Sequence, residues 1–332
     1  MSANRPTSDP GPAAGDILTV VGESLVDIIT DPRRPAATQA HPGGSPLNVA
    51  VGAARLGLST NLVTHYAADR YGLMVEEHLE SNGVHVINGG ATPTSTALAT
   101  LGPDGAAEYT FSITWEINGA SLPALAAVDV STHVHTGSIA TVLAPGNLAT
   151  LALVEAAREH ATVSYDPNCR PAISLDAAAA RRQAEVFVAA SDIVKASDED
   201  LSWLYPDRAP EETLQAWLEL GPAIVAMTRG ASGPVILSAK GRVEMAAEPI
   251  NVADTVGAGD SFMAGLLSGL AQLGALGADG RLRLQTLTLD QLHALAAYAN
   301  RAAGITCSRK GANPPQSAEL GPLPVPTPAQ ER

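Results

Sequence analysis

Short apolar runs alternate with longer amphipathic segments along most of this chain. Apolar runs that end in Gly or polar residues predict buried strands, at 17–22, 61–65, 84–87, 133–136, 161–166, 192–196 and 223–228. Apolar positions at helical spacing predict helices, at 46–56, 71–80, 145–160, 176–190, 198–205 and 211–220. This alternation predicts an α/β fold with a Rossmann-like, doubly wound, mostly parallel sheet and helices on both faces.

Two segments interrupt the alternation with the signals of β-hairpins. In the first, the predicted strands 95–101 and 107–113 flank a Gly-Pro-Asp-Gly turn at 102–105. In the second, the predicted strands 235–237 and 242–245 flank a Lys-Gly pair. We expect the first hairpin to belong to a small β-sheet lid, with strands within about 28–42 and 95–115. An edge hairpin without a gating role is the alternative.

The two ends of the chain differ in composition from its middle. Residues 1–15 and 316–332 are rich in Pro, Gly, Ala and Gln, which predicts flexible tails around a single domain at 16–315. Residues 1–15 contain no apolar run, so we expect no signal peptide. The longest apolar stretches are broken by Gly, Ser or charge, so no membrane-spanning segment is expected.

Composition narrows the classes of function. The 332 residues are 45% apolar but only 4% aromatic, so Ala, Val and Leu must fill the core. A net charge of −14 argues against nucleic acid or an anionic membrane as the main partner. A phosphate substrate would therefore need local donors or Mg²⁺. With two cysteines, the chain has no disulfide framework and fits a cytoplasmic location.

The strongest candidate for chemistry is the motif DTVGAGD at 254–260, which precedes an apolar helix. The N–H groups and dipole of a Gly-rich helix start suit a phosphate. Gly257, Ala258 and Gly259 can then form an anion hole for a transferring phosphoryl group. An ionised Asp260 would repel that phosphate, so its presence here needs an explanation. The simplest one is that Asp260 accepts the proton of an attacking hydroxyl. A capped helix with an acidic first turn is the alternative.

Three further motifs follow predicted strands or begin helices. GESLVD at 22–27 follows the first strand, where a carboxylate can bind two sugar hydroxyls. HPGGSPLN at 41–48 combines paired glycines, which let the backbone approach a ligand, with a donor and acceptor in Asn48. DPNCR at 166–170 offers Arg170 to a phosphate. Each motif is equally consistent with a turn whose polar side chains only form hydrogen bonds with the nearby backbone.

Two other candidates, a metal site and a nucleophilic cysteine, lack the neighbouring residues that such sites need. His133 and His135 share one strand face, but no third ligand is apparent, so we expect a structural pair. Cys169 has no base at a predictable spacing and is expected to pack as a small residue. The sequence contains no GxxxxGK[ST] loop, GxGxxG fingerprint, HExxH or GxSxG motif, which removes the mechanisms that depend on them.

Taken together, these motifs resemble those of the PfkB, or ribokinase-like, family of carbohydrate kinases over about residues 17–315. The resemblance rests on the glycine pair and Asn of 41–48, on 254–260 and on RKGA at 309–312, in this order and at this separation. It implies a Rossmann-like domain with a β-sheet lid, ATP and Mg²⁺ as co-substrates, and transfer of the γ-phosphate to a sugar hydroxyl.

The resemblance also implies roles for individual residues. Asp260 matches the catalytic base, and the anion hole matches Gly257, Ala258 and Gly259. The positions that match sugar-binding residues are Asp27, Gly43, Gly44 and Asn48. The positions on the nucleotide side are Thr228, Gly230, Gly233 and Asn300. A monovalent cation such as K⁺ would lie at Asp254, Val256, Thr306 and Gly311. Where many members have Asn in the metal-side motif, this chain has Ser197, with Asp200 three residues on.

Within the family, the motifs are most similar to those of fructokinases, which implies phosphorylation of D-fructose to fructose 6-phosphate. A 2-keto-3-deoxygluconate kinase is an alternative, because Arg170 could bind its carboxylate. A catalytically silent sugar-binding regulator is an alternative of another class, although Asp260 and the anion-hole glycines argue against it. A nucleoside kinase would need aromatic stacking surfaces, and aromatics are few. The resemblance further implies a homodimer that pairs through the lid; a monomer is the alternative.

Overall fold

The structure is a computed structural model that describes residues 15–90, 93–101, 107–117, 122–174 and 176–324. Residues 1–14 of the predicted N-terminal tail, the hairpin turn at 102–105 and the last residues, 325–332, lie outside the described residues. Within these ranges the strands are β1 (Ile17–Val21), β2 (Leu25–Thr30), β3 (Gln39–Gly43), β4 (Ser59–Thr64), β5 (His85–Asn88), β6 (Ser95–Leu101), β7 (Ala107–Ser112), β8 (His133–Gly137), β9 (Thr162–Asp166), β10 (Ile193–Ser197), β11 (Ile224–Thr228), β12 (Val235–Ser238) and β13 (Gly241–Glu244). The helices are α1 (Ser45–Arg55), α2 (Arg70–Ser81), α3 (Leu122–Asp129), α4 (Gly146–Ala157), α5 (Ala177–Ala189), α6 (Asp198–Leu204), α7 (Pro210–Glu219), α8 (Ala258–Gln272), α9 (Gly277–Thr286), α10 (Leu289–Cys307) and α11 (Ser317–Leu320).

The main sheet has nine strands in the order β13-β12-β11-β10-β9-β8-β1-β4-β5. Every neighbouring pair from β11 to β5 is parallel, and β12 and β13 add an antiparallel hairpin at one edge. The central strands β8 and β9 are buried along their whole length. Parallel strands need cover on both faces, and two apolar clusters on opposite faces provide it. The predicted doubly wound sheet and its second hairpin are confirmed.

The lid is a separate sheet of four strands in the order β3-β2-β6-β7. Only residues 22–24 separate β1 of the main sheet from β2 of the lid. Strand β2 pairs with β3 in the antiparallel sense and with β6 in the parallel sense. The first hairpin is therefore not an edge hairpin of the main sheet. The predicted lid is confirmed, although β2 begins at Leu25, before the predicted limit of 28.

Helix α8 is the central helix of one face of the main sheet. It packs against α1 on one side and α10 on the other, and its residues from Asp260 to Ala271 are all buried. This packing places the first turn of α8 beside the start of α1. Among the described helices, none alone is both long and apolar enough to cross a membrane; α8 and α9 reach that composition only together, and they are bent by 97°.

The C-terminal segment corrects the prediction of a flexible tail from residue 316. Residues Ser317–Leu320 form α11, and both Leu320 and Leu323 are buried in the core that contains α8 and α10. The Tyr298 hydroxyl donates to the carbonyl of Gly321 at 3.0 Å. The prediction was wrong for 316–324, because two isolated leucines in a Pro- and Gly-rich segment give no periodic signal.

Candidate active site

The carboxylate of Asp260 is held by two donors from α1. The Ser45 hydroxyl donates to Oδ1 at 2.6 Å, and the Asn48 amide donates to Oδ2 at 2.8 Å. Asp260 is 8% exposed, and its exposed part lies in a cavity of about 390 Å³ that Asp27 also lines. The predicted base and two predicted sugar-binding residues therefore lie in one cavity, although they come from opposite ends of the chain.

The start of α8 is available to an anion. Gly257 precedes the helix in a left-handed conformation, with φ at 74°, which favours glycine. No side chain caps this helix start, and residues 257–260 line the cavity beside Asp260. The N–H of Ala258 donates to the carbonyl of Thr255 at 3.2 Å, so an anion would compete with that contact. The N–H groups of a helix start and the helix dipole together favour negative charge at this position. The role of this helix start as an anion hole remains a prediction.

Lys195 adds a positive charge that the sequence motifs did not identify. Its Nζ donates to Asp166 Oδ2 at 2.6 Å, and the side chains of Lys195 and Asp166 are only 4% and 0% exposed. A Cβ on Gly259 would lie 2.8 Å from this Nζ, so the ammonium lies directly beside the anion hole. A charged residue inside the buried parallel strand β10 was the signal that could have revealed it.

The charges around Lys195 keep it protonated. Burial disfavours the ammonium, but the carboxylates of Asp166, Asp200 and Asp260 outweigh burial and raise the pKa of Lys195. Burial is also the main cause that raises the pKa of Asp166 to about 6, and Lys195 opposes it. At neutral pH the two residues thus form a buried ion pair next to the start of α8.

The predicted acceptor residues line the lid side of the same cavity. Asp27 projects from β2, and a side chain at Gly43 on the adjacent β3 would collide with its carboxylate. Desolvation raises the pKa of Asp27, while Arg170 and His41 offset part of this effect. The Arg170 guanidinium lines the cavity and also donates to Asn168 Oδ1 at 2.8 Å. Gly44 lines the cavity too, whereas Gly43 is buried beneath the carboxylate of Asp27 and is not a lining residue. The binding of a sugar by these positions remains a prediction.

A second cavity, of about 540 Å³, contains the predicted nucleotide-side residues. Its lining includes Thr228, Gly230, Gly233 and Asn300. Thr228, Thr255, Ala258 and Gly259 line both cavities, so the two cavities meet at the anion hole. The Asn300 amide donates to the carbonyl of Ala246 at 2.9 Å, which fixes its orientation within the chain. A contact between Asn300 and a base remains a prediction.

The residues of the metal-side motif are engaged with one another. Ser197 caps α6 through a reciprocal capping box with Asp200: its hydroxyl donates to Asp200 Oδ2 at 2.7 Å and accepts from the Asp200 N–H. The other oxygen of Asp200 accepts from the N–H of Cys169 at 2.7 Å. Both Ser197 and Asp200 line the cavity of the base. A direct role of Ser197 in cofactor binding remains a prediction.

Of the predicted cation residues, three lie together. Asp254 accepts hydrogen bonds from the N–H groups of Val256 at 3.1 Å and Gly311 at 2.9 Å. Thr306 is buried in α10, and its hydroxyl lies within hydrogen-bond distance of the Ser261 hydroxyl on α8 and of the Ala302 carbonyl on α10. Its carbonyl accepts from the N–H of Arg309. In the part of the chain that the structure describes, no cluster of three or more His, Cys, Asp or Glu side chains could hold a metal ion. The cation site remains a prediction.

The two strand histidines form a buried polar network. Both ring nitrogens of His133 share hydrogen bonds with the hydroxyls of Thr162 and Ser164, and His135 Nδ1 shares one with Ser164. Burial lowers the pKa of both histidines to about 3, so both are neutral. These contacts are those of the expected structural pair. Burial also raises the pKa of the Cys169 thiol far above its usual range, which is unlike a nucleophile.

Glu23 is a second charged residue whose burial the sequence did not reveal. Its Oε2 accepts from the N–H of Ala140 at 3.0 Å, while Oε1 is buried without a hydrogen-bond partner in the described chain. Burial raises the pKa of Glu23 from 4.5 to about 7, although nearby Ser138 and Arg170 offset part of the effect. The carboxyl group therefore carries a proton through much of the range below pH 7.

Glu23 makes the stability of the protein depend on pH. Because its pKa is raised in the folded state, folding takes up a proton between pH 4.5 and 7. The resulting stability is present below pH 4.5 and is lost as the pH rises through 7. We expect this group to lower the free energy of unfolding by about 3 kcal/mol across that range.

Urea denaturation at a series of pH values tests this expectation. Glu23→Gln keeps the shape of the side chain but does not titrate, so the variant should gain stability relative to wild type as the pH rises from 5 to 8. Glu155→Gln removes an exposed carboxylate on α4 and serves as the matched control. Parallel pH profiles for wild type and Glu23→Gln would contradict the assignment.

The fold agrees with comparisons to known proteins. The chain belongs to the pfkB family of carbohydrate kinases, whose sequence profile matches residues 17–319. Kinases of this family use ATP. A fructokinase of Rhizobium leguminosarum bv. trifolii is 32% identical over 263 residues, which cover 76% of this chain and 79% of that protein.

Two solved structures show the same ribokinase-like fold. Fructokinase of Xylella fastidiosa with bound ATP matches with a TM-score of 0.81 and 22% identity, over 92% of this chain and 97% of that one. A double mutant of Vibrio cholerae O395 fructokinase, in its fructose, ADP and potassium ion bound form, matches with a TM-score of 0.74 and 24% identity. The match covers 92% of this chain and 97% of that one. At these identities the likeness establishes the fold.

Proposed function

We propose that this carbohydrate kinase transfers the γ-phosphate of ATP to the primary hydroxyl of D-fructose, which yields fructose 6-phosphate. The observation that carries the proposal is the meeting of two cavities at the start of α8, with Asp260 on the acceptor side. The 32% identical Rhizobium fructokinase supports fructose as the acceptor.

The residues of the acceptor cavity divide the work of binding and proton transfer. Asp27 and Asn48 bind sugar hydroxyls, and the lid that carries Asp27 excludes water from the cavity. Asp260 orients the attacking hydroxyl and accepts its proton. Phosphoryl transfer passes through a loose transition state, so the proton leaves late and the orientation of the base matters more than its strength.

The start of α8 stabilises the charge of the transferring phosphoryl group. Its N–H groups act as fixed donors, and the buried ammonium of Lys195 adds a positive charge beside Gly259. Fixed charges interact most strongly where water is excluded. Because the chain as a whole has a net charge of −14, the attraction of a phosphate depends on such local positive groups. Mg²⁺, when bound with the nucleotide, neutralises part of the phosphate charge, and Asp200 is a carboxylate of this cavity that could hold it through water.

A 2-keto-3-deoxygluconate kinase is the second candidate, because Arg170 lines the acceptor cavity and could bind a sugar carboxylate. The carboxylates of Asp27 and Asp260 line the same cavity and would repel an acidic sugar. Neutral sugars are therefore favoured.

An ADP-coupled assay over a panel of sugars tests the proposal. We expect D-fructose to give the highest kcat/KM, at least tenfold above 2-keto-3-deoxygluconate, and expect glucose and ribose to be poor acceptors. A preference for the acidic sugar would assign the second candidate. Thermal shift with each sugar is the companion measurement: a sugar that raised Tm without any turnover would identify a sugar-binding regulator instead.

Two further features belong to this proposal. A monovalent cation would bind beside Asp254, where the potassium-bound Vibrio relative makes K⁺ the first ion to try.

Pairing of two copies through the lid would cover the exposed apolar side chains of Ile29, Tyr109 and Phe111. The rings of Tyr109 and Phe111 stack with their centroids 6.0 Å apart.

A further inference from the structure

Ser45 makes a contact to the base that none of the motifs assigns. Its hydroxyl donates to Asp260 Oδ1 at 2.6 Å, across 215 positions of the chain, and both residues are nearly buried, at 7% and 8% exposure. A hydrogen bond to an ionised carboxylate is stronger than one between neutral groups. Ser45 has one proton to give, and the structure shows it given to the base.

The contact controls the orientation of the carboxylate. A carboxylate held through one oxygen can turn about its terminal bond, because that torsion is broad. Asn48 holds Oδ2 and Ser45 holds Oδ1, so the two donors fix the carboxylate plane from both sides. Both donors belong to the first turn of α1, which packs directly against α8. The base is thus oriented by a rigid helix pair rather than by a loop.

Ser45 and Asn48 differ in what else they do. Asn48 is also a sugar-binding position in the proposed function, so its loss would disturb the acceptor as well as the base. The hydrogen bond of the Ser45 hydroxyl in this structure is with Asp260. We propose that Ser45 is a positioning residue, an inference that rests on the proposed function. Ser45 holds the catalytic carboxylate in the orientation needed to receive the proton of the acceptor hydroxyl.

A positioning role predicts a specific kinetic signature. Ser45→Ala should lower kcat about 10-fold or more, while KM for sugar and for ATP should stay within about twofold. Ser45→Thr keeps a hydroxyl and should recover most of the lost kcat. Ser268→Ala is the matched control: it removes a buried serine hydroxyl of α8 that has no hydrogen-bond partner in the described chain, and its kcat should equal that of wild type.

A double-mutant cycle separates positioning from a general loss of structure. In the Asp260→Asn background, measured at high enzyme concentration, Ser45→Ala should change the residual turnover less than twofold. An equal loss in both backgrounds, or a rise in sugar KM with kcat unchanged, would overturn the positioning role. Wild-type turnover that Ser45→Ala left intact would overturn that role alone, whereas a wild-type protein that phosphorylated no sugar would overturn the proposed function as well.

Discussion

We expect Asp260→Asn to lose about 10²–10⁴-fold of the sugar-dependent turnover of the wild-type protein, which is the usual contribution of a positioned general base. The amide has the same shape as the carboxylate but cannot take the proton of the attacking hydroxyl. Its carbonyl oxygen can still accept from Asn48 or from Ser45, so the contact between α1 and α8 should survive. An ADP-coupled assay at saturating fructose gives the loss in kcat.

ATP binding distinguishes a loss of chemistry from a loss of the site. The second cavity does not include Asp260, so isothermal titration should give an ATP affinity within about threefold of wild type. Asp279→Asn makes the same chemical change at an exposed position of α9 and should leave turnover unchanged. Fructose-dependent turnover that survived Asp260→Asn within tenfold would show that another group accepts the proton.

Lys195→Met is expected to reduce both stability and turnover. The substitution leaves the carboxylate of Asp166 buried without its cation, and breaking a buried pair from one side typically costs about 3–5 kcal/mol. It also removes the positive charge beside Gly259, where the transferring phosphoryl group is expected to lie. We therefore expect a large fall in Tm together with a loss of kcat of about 100-fold or more.

A second substitution separates these two effects. In Lys195→Met/Asp166→Asn neither charge of this ion pair remains, so most of the lost stability should return. Turnover should not return, because the phosphoryl group still lacks the ammonium. Differential scanning calorimetry and steady-state kinetics on both variants make the comparison. If turnover recovered along with Tm, the role of Lys195 would be structural only.

Much of the fold follows from local patterns in the sequence. Helix α1 was predicted at 46–56 and lies at Ser45–Arg55, because Pro at its start, apolar spacing and Gly57 at its end agree with one another. The strands of the main sheet were predicted from short, largely apolar runs, which is the pattern of parallel strands covered on both faces. Strands β8 and β9 keep this pattern only in part, because buried polar residues such as His133, His135 and Ser164 alternate with their apolar ones. Strand β3 was harder, because it contains Pro42; the residue is tolerated there because β3 is an edge strand of the lid.

The candidate site was predictable only as far as its motifs extend. Glycine pairs and acidic residues at strand ends and helix starts led to Asp27, Asn48 and Asp260, which share one cavity. Lys195 and Ser45 contact residues on other elements, a strand away or 215 positions away. A lysine inside a buried strand marks position 195 in the sequence, but no local pattern encodes the partner of either residue. Helix α3 was missed because its residues are apolar on more than one side, so it shows little periodicity.

The distance along the chain between α1 and α8 also bears on how the protein is made. Ribosomes add about 5–20 residues per second, so Ser45 is synthesised roughly 10 to 40 s before Asp260. During that interval the apolar face of α1 has no α8 to cover it. A nascent chain therefore carries exposed core surface until its last quarter emerges, and no shorter intermediate contains a complete phosphotransfer site. Chaperone protection during synthesis would serve this topology.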